Sequence, residues 1–355
     1  MDQRVDLFIV AGEPSGDLLG ARLLEKISHR KVEAVAGPKM REHPIQVFSE
    51  MEKLCSMGFF GIVSSLPRLI RQFFKIRNEI LRVNPKVALF IDYPGFNLRI
   101  EKSLKKKGFS GKIIHYVCPS VWAWGKGRIS LLEKNVDLLL CLFPFEKKCF
   151  SSKRLQVEYI GHPLTSKIEP KSTPRTNILA IFPGSRISEI KKNLIIQLNA
   201  AREILRHDPS AEIAISFSDE KKRELIEEIV KDFPCTLIPP KECYSLMERA
   251  RVALATSGTV TLELALHKTP TIVNYAIGRL DQFLAQKIFR IRLPYYCIVN
   301  IIAEREVFPE FFGSNLEEKA FIRAVKKLWE FPGVVPTVLE NCSSSPETFV
   351  ERALS

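Results

Sequence analysis

The chain has 355 residues, enough for two domains of about 150 residues, each with a core of its own. Hydrophobic residues make up 46% and charged residues 26%, ordinary for a soluble globular protein, while 53 Lys and Arg against 40 Asp and Glu leave +13, which favours anionic partners: nucleic acid, an acidic membrane surface or phosphorylated small molecules. No run approaches the roughly 20 apolar residues of a membrane span, and the eight cysteines form no C-x-x-C pair, so neither a spanning helix nor a metal site is expected.

The N-terminus, MDQRVDLFIVAGEPSGD, mixes charges and turns at Gly12, unlike a signal peptide. Cys118 and Cys141 sit in apolar runs and read as buried thiols of a reducing compartment, so a cytosolic protein is expected. Apolar runs at Val5–Ala11, Val87–Ile91, Lys112–Val117, Leu138–Leu142, Ile178–Phe182, Glu212–Phe217 and Val252–Ala255 predict buried strands. Helical patterns lie between them, at Leu18–Ile27, Ile190–Leu205 and Lys221–Val230. Apolar strands separated by helices predict an α/β chain with parallel sheets covered on both faces. The rhythm fills 1–165 and restarts near 177, and the three prolines from Pro163 to Pro174 suit an interdomain linker. Two domains are expected, 1–165 and 175–330, followed by a weakly helical tail, 331–355.

In open α/β sheets ligands bind beyond the carboxyl ends of strands, and several unusual loops fall there. Gly12-Glu13-Pro14-Ser15-Gly16-Asp17 permits a tight turn that aims Glu13 into a cleft; it reads equally as a plain βα turn capped by Ser15 or Asp17. It is neither G-x-G-x-x-G nor a P-loop, so dinucleotide and P-loop readings lose support. Asp92, directly after an apolar strand and held by Pro94-Gly95, is placed as a general base or as the cap of the next helix. Trp122 and Trp124 form an aromatic wall suited to a sugar face or acyl chain, unless they pack in the core. His115 reads as an interior histidine.

Gly184-Ser185-Arg186, opening a helix, combines a glycine turn, a hydroxyl, free N–H groups and a guanidinium, a phosphate-binding set. Thr256-Ser257-Gly258-Thr259-Val260-Thr261 again opens a helix after a strand, where N–H groups and hydroxyls can hold a diphosphate, and Glu263 one turn on can accept from a ribose diol. A simple N-cap explains one of those hydroxyls but not four. The run Asn300–Glu306 is polar and charged, weak evidence alone. No D-x-D pair occurs, which counts against a metal bridging a nucleotide-sugar diphosphate, so Arg186 and the helix N-termini are expected to stabilise it.

From Leu66, apolar residues fall at 66, 69, 70, 73, 76 and 80, with Arg68, Arg71 and Lys75 opposite and Phe59, Phe60, Ile62 and Val63 extending the surface. Such a basic amphipathic helix can lie in a membrane interface, and can equally pack its apolar face on a sheet. Arg77 falls inside the stripe, as a snorkelling or ligand-contacting cation would.

The segments GEPSGD, IDYPGFN, HYVCPSVWAW, FPFEKK, YIGHP, PGSR and SGTVTLE, in that order, resemble the lipid-A-disaccharide synthase family over residues 5–330. The resemblance implies a GT-B fold: two Rossmann-like domains with parallel sheets facing across a cleft, the last helix crossing back to the first. It implies an inverting transferase that joins UDP-2,3-diacylglucosamine to 2,3-diacylglucosamine 1-phosphate through a β-1,6 linkage and releases UDP without metal or cofactor. The cytoplasmic, peripheral location at the inner face of the inner membrane is implied too, with an anionic surface and no nucleic acid as partners; a homodimer is compatible with it. Asp92 then resembles the acceptor's general base, with Glu13 beside it in catalysis and Ser15 on the acceptor side. Arg186 matches the arginine on the UDP phosphates, Ser257, Gly258, Thr259 and Glu263 the nucleotide loop and ribose contact, and Asn300 and Glu306 the donor lining. Phe59, Phe60, Ile62, Leu66, Leu69, Ile70 and Phe73 become the membrane or acyl contacts. Gly95 departs from relatives with a second acid there, so Asp92 acts alone or with Glu13. Epimerases of UDP-sugars share this fold and are the competing enzyme class, with another GT-B UDP-sugar transferase as the other alternative.

Overall fold

Runs such as Leu7–Ala11 and Val87–Ile91 contain no polar side chain, so a strand made from them must be covered on both faces, and every residue of both is buried. The computed structural model describes residues 5–27, 29–54, 58–123, 125–169, 173–278, 293–313, 316–342 and 344–355, with 58–65 as backbone only. The chain divides into two units, Met1–His162 with Cys342–Ser355, and Pro163–Asn341.

The first unit holds a seven-stranded sheet: β1 (Leu7–Ala11), β2 (Val32–Ala36), β3 (Gln46–Glu50), β4 (Val87–Ile91), β5 (Lys112–Tyr116), β6 (Leu138–Cys141) and β7 (Gln156–Tyr159). The order is β3-β2-β1-β4-β5-β6-β7, all parallel. Between strands run α1 (Pro14–Lys26), α2 (Gly58–Val83), α3 (Pro94–Lys106) and α4 (Gly127–Asn135). Strand order reverses between β1 and β4, the switch point where loops diverge and leave a crevice. Ala11 pairs with Ile91, so Gly12 and Asp92 leave the sheet at one level. The terminal helix Pro346–Leu354 belongs to this unit: Val350 and Leu354 are buried in its core, Lys86 Nζ donates to Leu354 O at 3.1 Å, and Arg30 pairs with Glu351.

The second unit repeats the plan with β8 (Ile178–Phe182), β9 (Glu212–Ser216), β10 (Thr236–Ile238), β11 (Val252–Thr256), β12 (Thr271–Ala276) and β13 (Glu310–Gly313), ordered β10-β9-β8-β11-β12-β13 and all parallel. Its helices among the described residues are α5 (Pro163–Lys167), α6 (Ile187–His207), α7 (Glu220–Val230), α8 (Cys243–Arg249), α9 (Thr259–Leu266), α10 (Ile298–Ala303) and α11 (Glu318–Glu330). The switch point lies between β8 and β11, where Phe182 pairs with Ala255.

Helix α2 separates two readings of its stripe. Ile76 and Ile80 are buried, and Leu69 and Phe73 pack against the core beside them. Leu66, Ile70 and Phe74, spaced by four, are each about half exposed: 52%, 49% and 48%. Leu69 and Phe73 are therefore core contacts rather than lipid contacts, because the sheet covers that face; Leu66 and Ile70 stay outward, joined by Phe74. Arg77 lies over the Phe74 ring at 4.9 Å, a cation on an aromatic face. The side chains of Phe59, Phe60 and Ile62 lie outside the described residues, as does Trp124. No helix among the described residues is long and apolar enough to cross a membrane.

Glu33 on β2 is buried near Glu79 and Arg82 of α2. Burial first, then the Glu79 charge, pushes its carboxyl up from 4.5 to about 7. The folded chain therefore keeps a proton that the unfolded chain gives up, so stability falls as pH rises from about 4.5 to about 7. Glu33→Gln is expected to flatten that fall in a melting-temperature series; an unaltered slope rejects the assignment.

Candidate functional site

At the first switch point Pro14 starts α1 with Glu13 at the N-cap, and Glu13 makes no side-chain cap. Nor do Ser15 and Asp17 cap the helix. Ser15 Oγ instead donates to Asp92 Oδ2 at 3.1 Å. The buried Asp17 carboxylate accepts three backbone N–H groups, from Gly37 (2.9 Å), Lys39 (2.8 Å) and Met40 (3.1 Å), tying the end of β2 to α1. Gly12 must lack a side chain, since a Cβ would lie 2.2 Å from Tyr93 Cδ1.

Asp92 and Tyr93 both adopt left-handed backbone, φ 52° and 49°. That conformation turns the chain sharply and is held by named bonds: Asp92 N–H donates to Tyr116 O (2.8 Å), buried Asn97 Nδ2 donates to Asp92 O (2.7 Å), and Tyr93 OH donates to Leu54 O (3.1 Å). Tyr93, not Asp92, is the N-cap of α3, which leaves the Asp92 carboxylate for Ser15. Glu13 stands close enough for the Asp92 charge, after desolvation, to hold its carboxyl above the usual range. Two carboxyls and a hydroxyl thus gather at the mouth of the first crevice. Gly95 has nothing within 4 Å of an added Cβ, so a second acid there would have room. His115 is fully buried with Nδ1 at 2.5 Å from Glu101 Oε1, a core pair. Trp122 packs edge-on against Phe145, which stacks on Phe143, and Phe143 stacks on His162. Burial lowers His162 to about 4.

The second switch point opens into a cavity of about 640 Å³, the size of a small-molecule site. Gly184, Ser185, Ser257, Gly258, Thr259 and Glu263 all line it. Gly184 has φ 107°, and a Cβ there would lie 2.9 Å from Glu189 Oε2, so only glycine fits. Ser257 Oγ donates to Tyr296 O at 3.3 Å, while the buried Thr256 Oγ1 has no hydrogen-bond partner among the described residues. Glu263 accepts from Tyr244 OH at 3.0 Å; burial raises its carboxyl, and the Tyr244 bond and Lys167 oppose the rise. Lys167 Nζ sits 5.1 Å above the Tyr244 ring.

Three predicted donor residues stand differently from expectation. Arg186 is not in the cavity wall; its side chain is 76% exposed and pairs with Glu189 Oε1 at 2.8 Å. Asn300 is fully buried and its amide is engaged inside the fold: Nδ2 donates to Phe308 O (2.7 Å) and Glu310 Oε2 (3.3 Å), and Oδ1 accepts from Val307 N (2.8 Å) and Phe308 N (2.9 Å). It shapes the turn after α10 and does not line the cavity. Glu306 is exposed on that same turn and is absent from the cavity wall. Lys167, Lys241 and Tyr244 line the cavity without having been foreseen, because a single lysine or tyrosine on a short helix carries no motif.

The family model described as lipid-A-disaccharide synthetase matches residues 7–330. The chain belongs to the lipid-A-disaccharide synthase family. A lipid-A-disaccharide synthase of Chlamydia pneumoniae is 40% identical over 327 residues, covering 87% of this chain and 54% of that protein. The chain thus spans about half the length of the Chlamydia relatives it matches. The family's protein from Idiomarina loihiensis is 35% identical over 347 residues, with 93% and 90% covered. Among solved structures, a UDP-GlcNAc 2-epimerase from Neisseria meningitidis bound to UDP-GlcNAc is similar at TM-score 0.56 and 11% identity, covering 99% of each chain. A calicheamicin glycosyltransferase is similar at TM-score 0.55 and 12% identity, covering 99% of this chain and 94% of that one. These likenesses show an α/β fold of two parallel sheets, that of GT-B glycosyltransferases.

Proposed function

We propose that the chain is an inverting transferase that joins UDP-2,3-diacylglucosamine to 2,3-diacylglucosamine 1-phosphate, giving the β-1,6 disaccharide 1-phosphate and UDP. The observation that carries this reading is Asp92, a carboxylate presented at a sheet switch point with Ser15 hydrogen-bonded to it and Glu13 beside it. Asp92 takes the proton of the acceptor 6-hydroxyl as that oxygen attacks C1 of the α-linked donor, and the inverted carbon becomes β-linked. The second unit's cavity takes UDP: the N–H groups opening α9 and the hydroxyls of Ser257 and Thr259 face the diphosphate, and Glu263 accepts from the ribose. Lys167 and Lys241 supply positive charge at the cavity wall, and Arg186 joins them on leaving Glu189.

The acceptor and product are amphiphiles, and the outward row Leu66, Ile70 and Phe74, flanked by exposed Arg71 and Lys75, suits a peripheral position on an anionic inner-membrane surface. The direct test is incubation with both diacylated sugars and mass detection of the disaccharide. UDP release that requires the acceptor supports a transferase, whereas acceptor-independent inversion at C2 supports an epimerase and rejects the reading. Lys167→Ala and Arg186→Ala are each expected to weaken UDP about 10- to 100-fold by titration calorimetry, as loss of a charged hydrogen bond implies. Unchanged affinity and rate remove the residue concerned from the donor site.

A further inference from the structure

Two thiols and a carboxylate from three different segments meet in the interior of the first unit. Cys118 lies two residues past β5, Cys141 is the last residue of the neighbouring β6, and Glu146 sits in the 3-10 turn Pro144–Cys149 that follows. All three are buried, and their Sγ, Sγ and carboxylate oxygen lie within 4.8 Å of one another. We propose that Cys118, Cys141 and Glu146 form a structural binding site for a soft divalent cation of the zinc class.

The donor set argues for that class. Two thiolates with one carboxylate favour zinc over calcium or magnesium, which prefer oxygen shells. Zinc binds thiolate at about 2.3 Å, which places two sulfurs about 3.8 Å apart in a tetrahedron. The three donor atoms already lie within 4.8 Å of one another, so rotations of these side chains would gather them round one ion. A fourth position is left to water.

Glu146 is already oriented. Its Oε2 accepts from Leu142 N at 3.1 Å and Phe143 N at 3.0 Å. Those bonds hold a ligating carboxylate as outer partners do in metal sites. At present Cys118 Sγ donates to Pro119 O at 3.3 Å, so uptake of the ion releases thiol protons from Cys118 and Cys141 to solvent and forms two sulfur–metal bonds. The bound ion would pin the ends of β5 and β6 to the turn that carries Phe143 and Phe145. Trp122, packed edge-on against Phe145, would be fixed with them.

The test uses the full chain, reduced and freed of metal, titrated with Cd2+ and separately with Co2+. One equivalent is expected to saturate a sulfur-to-metal charge-transfer band, with at least two protons released per ion. Cys118→Ser and Cys141→Ser are each expected to weaken Cd2+ at least 100-fold, with circular dichroism matching metal-free wild type, while Cys235→Ser leaves binding unchanged. X-ray absorption on zinc-loaded wild type reads the donor set with no variant needed, and is expected to show at least two sulfurs. An all-nitrogen-and-oxygen shell, no band at one equivalent in reduced protein, or full binding by the folded Cys118→Ser/Cys141→Ser double variant would each overturn the proposal.

Discussion

Asp92→Asn is expected to lower the transfer rate by about 10²–10⁴-fold while leaving UDP affinity unchanged. Asn is the substitution that isolates the chemistry. It has the same shape, its Oδ1 can still accept from Ser15, and Asn tolerates the left-handed backbone that Asp92 adopts at φ 52°. The bonds to Tyr116 O and from Asn97 use the backbone of residue 92 and survive the exchange. Only the capacity to take a proton is removed. Donor binding is assigned to the other unit, so the loss should fall on kcat with acceptor present, and UDP calorimetry should match wild type. Turnover near normal would reject Asp92 as the base. Glu13→Gln should cost less, since Glu13 touches the reaction through its neighbour's charge.

Asp17→Ala should lower the stability of the first unit by about 3–5 kcal/mol, read from denaturant unfolding. The carboxylate meets three backbone N–H groups, from Gly37, Lys39 and Met40, in a largely buried place. Each charged hydrogen bond is worth about 1.5–3 kcal/mol, and water entering the vacated space offsets part of the sum. Gly37 has no room to help: a Cβ there would lie 2.5 Å from the Asp17 carboxylate. Asp17→Asn, which keeps one acceptor oxygen, should fall between. A loss below about 1 kcal/mol for the alanine variant would mean that the loop finds other partners.

Much of this architecture is readable in the residues. β1, β4, β8 and β11 are wholly or almost wholly apolar, so burial on both faces follows from composition, and the loops after them are the ones at the switch points. Strands β3, β7 and β10 mix polar residues with apolar ones because they lie at or next to sheet edges, where solvent reaches them, and no continuous apolar run announces them. In α2 the period shows an apolar face but not its width, so Leu69 and Phe73 cannot be told from Leu66 and Ile70 until the sheet is in place. Asn300 looks like one more polar residue in a charged run. Its four internal hydrogen bonds depend on how the chain comes back at 307–310. Cys118, Cys141 and Glu146 have no spacing signature, because their meeting depends on β5 and β6 being neighbours.

The docking of Pro346–Leu354 bears on how the chain is made. Residues 163–341 are translated before that helix exists, so a ribosome finishes all of the second unit while the first sheet still lacks Val350 and Leu354. For that interval a nascent first unit shows an apolar groove to solvent and is open to chaperones or to a neighbouring chain. Its final consolidation is thus delayed by the time needed to elongate through some 180 further residues, about 10–40 s at ordinary translation speeds.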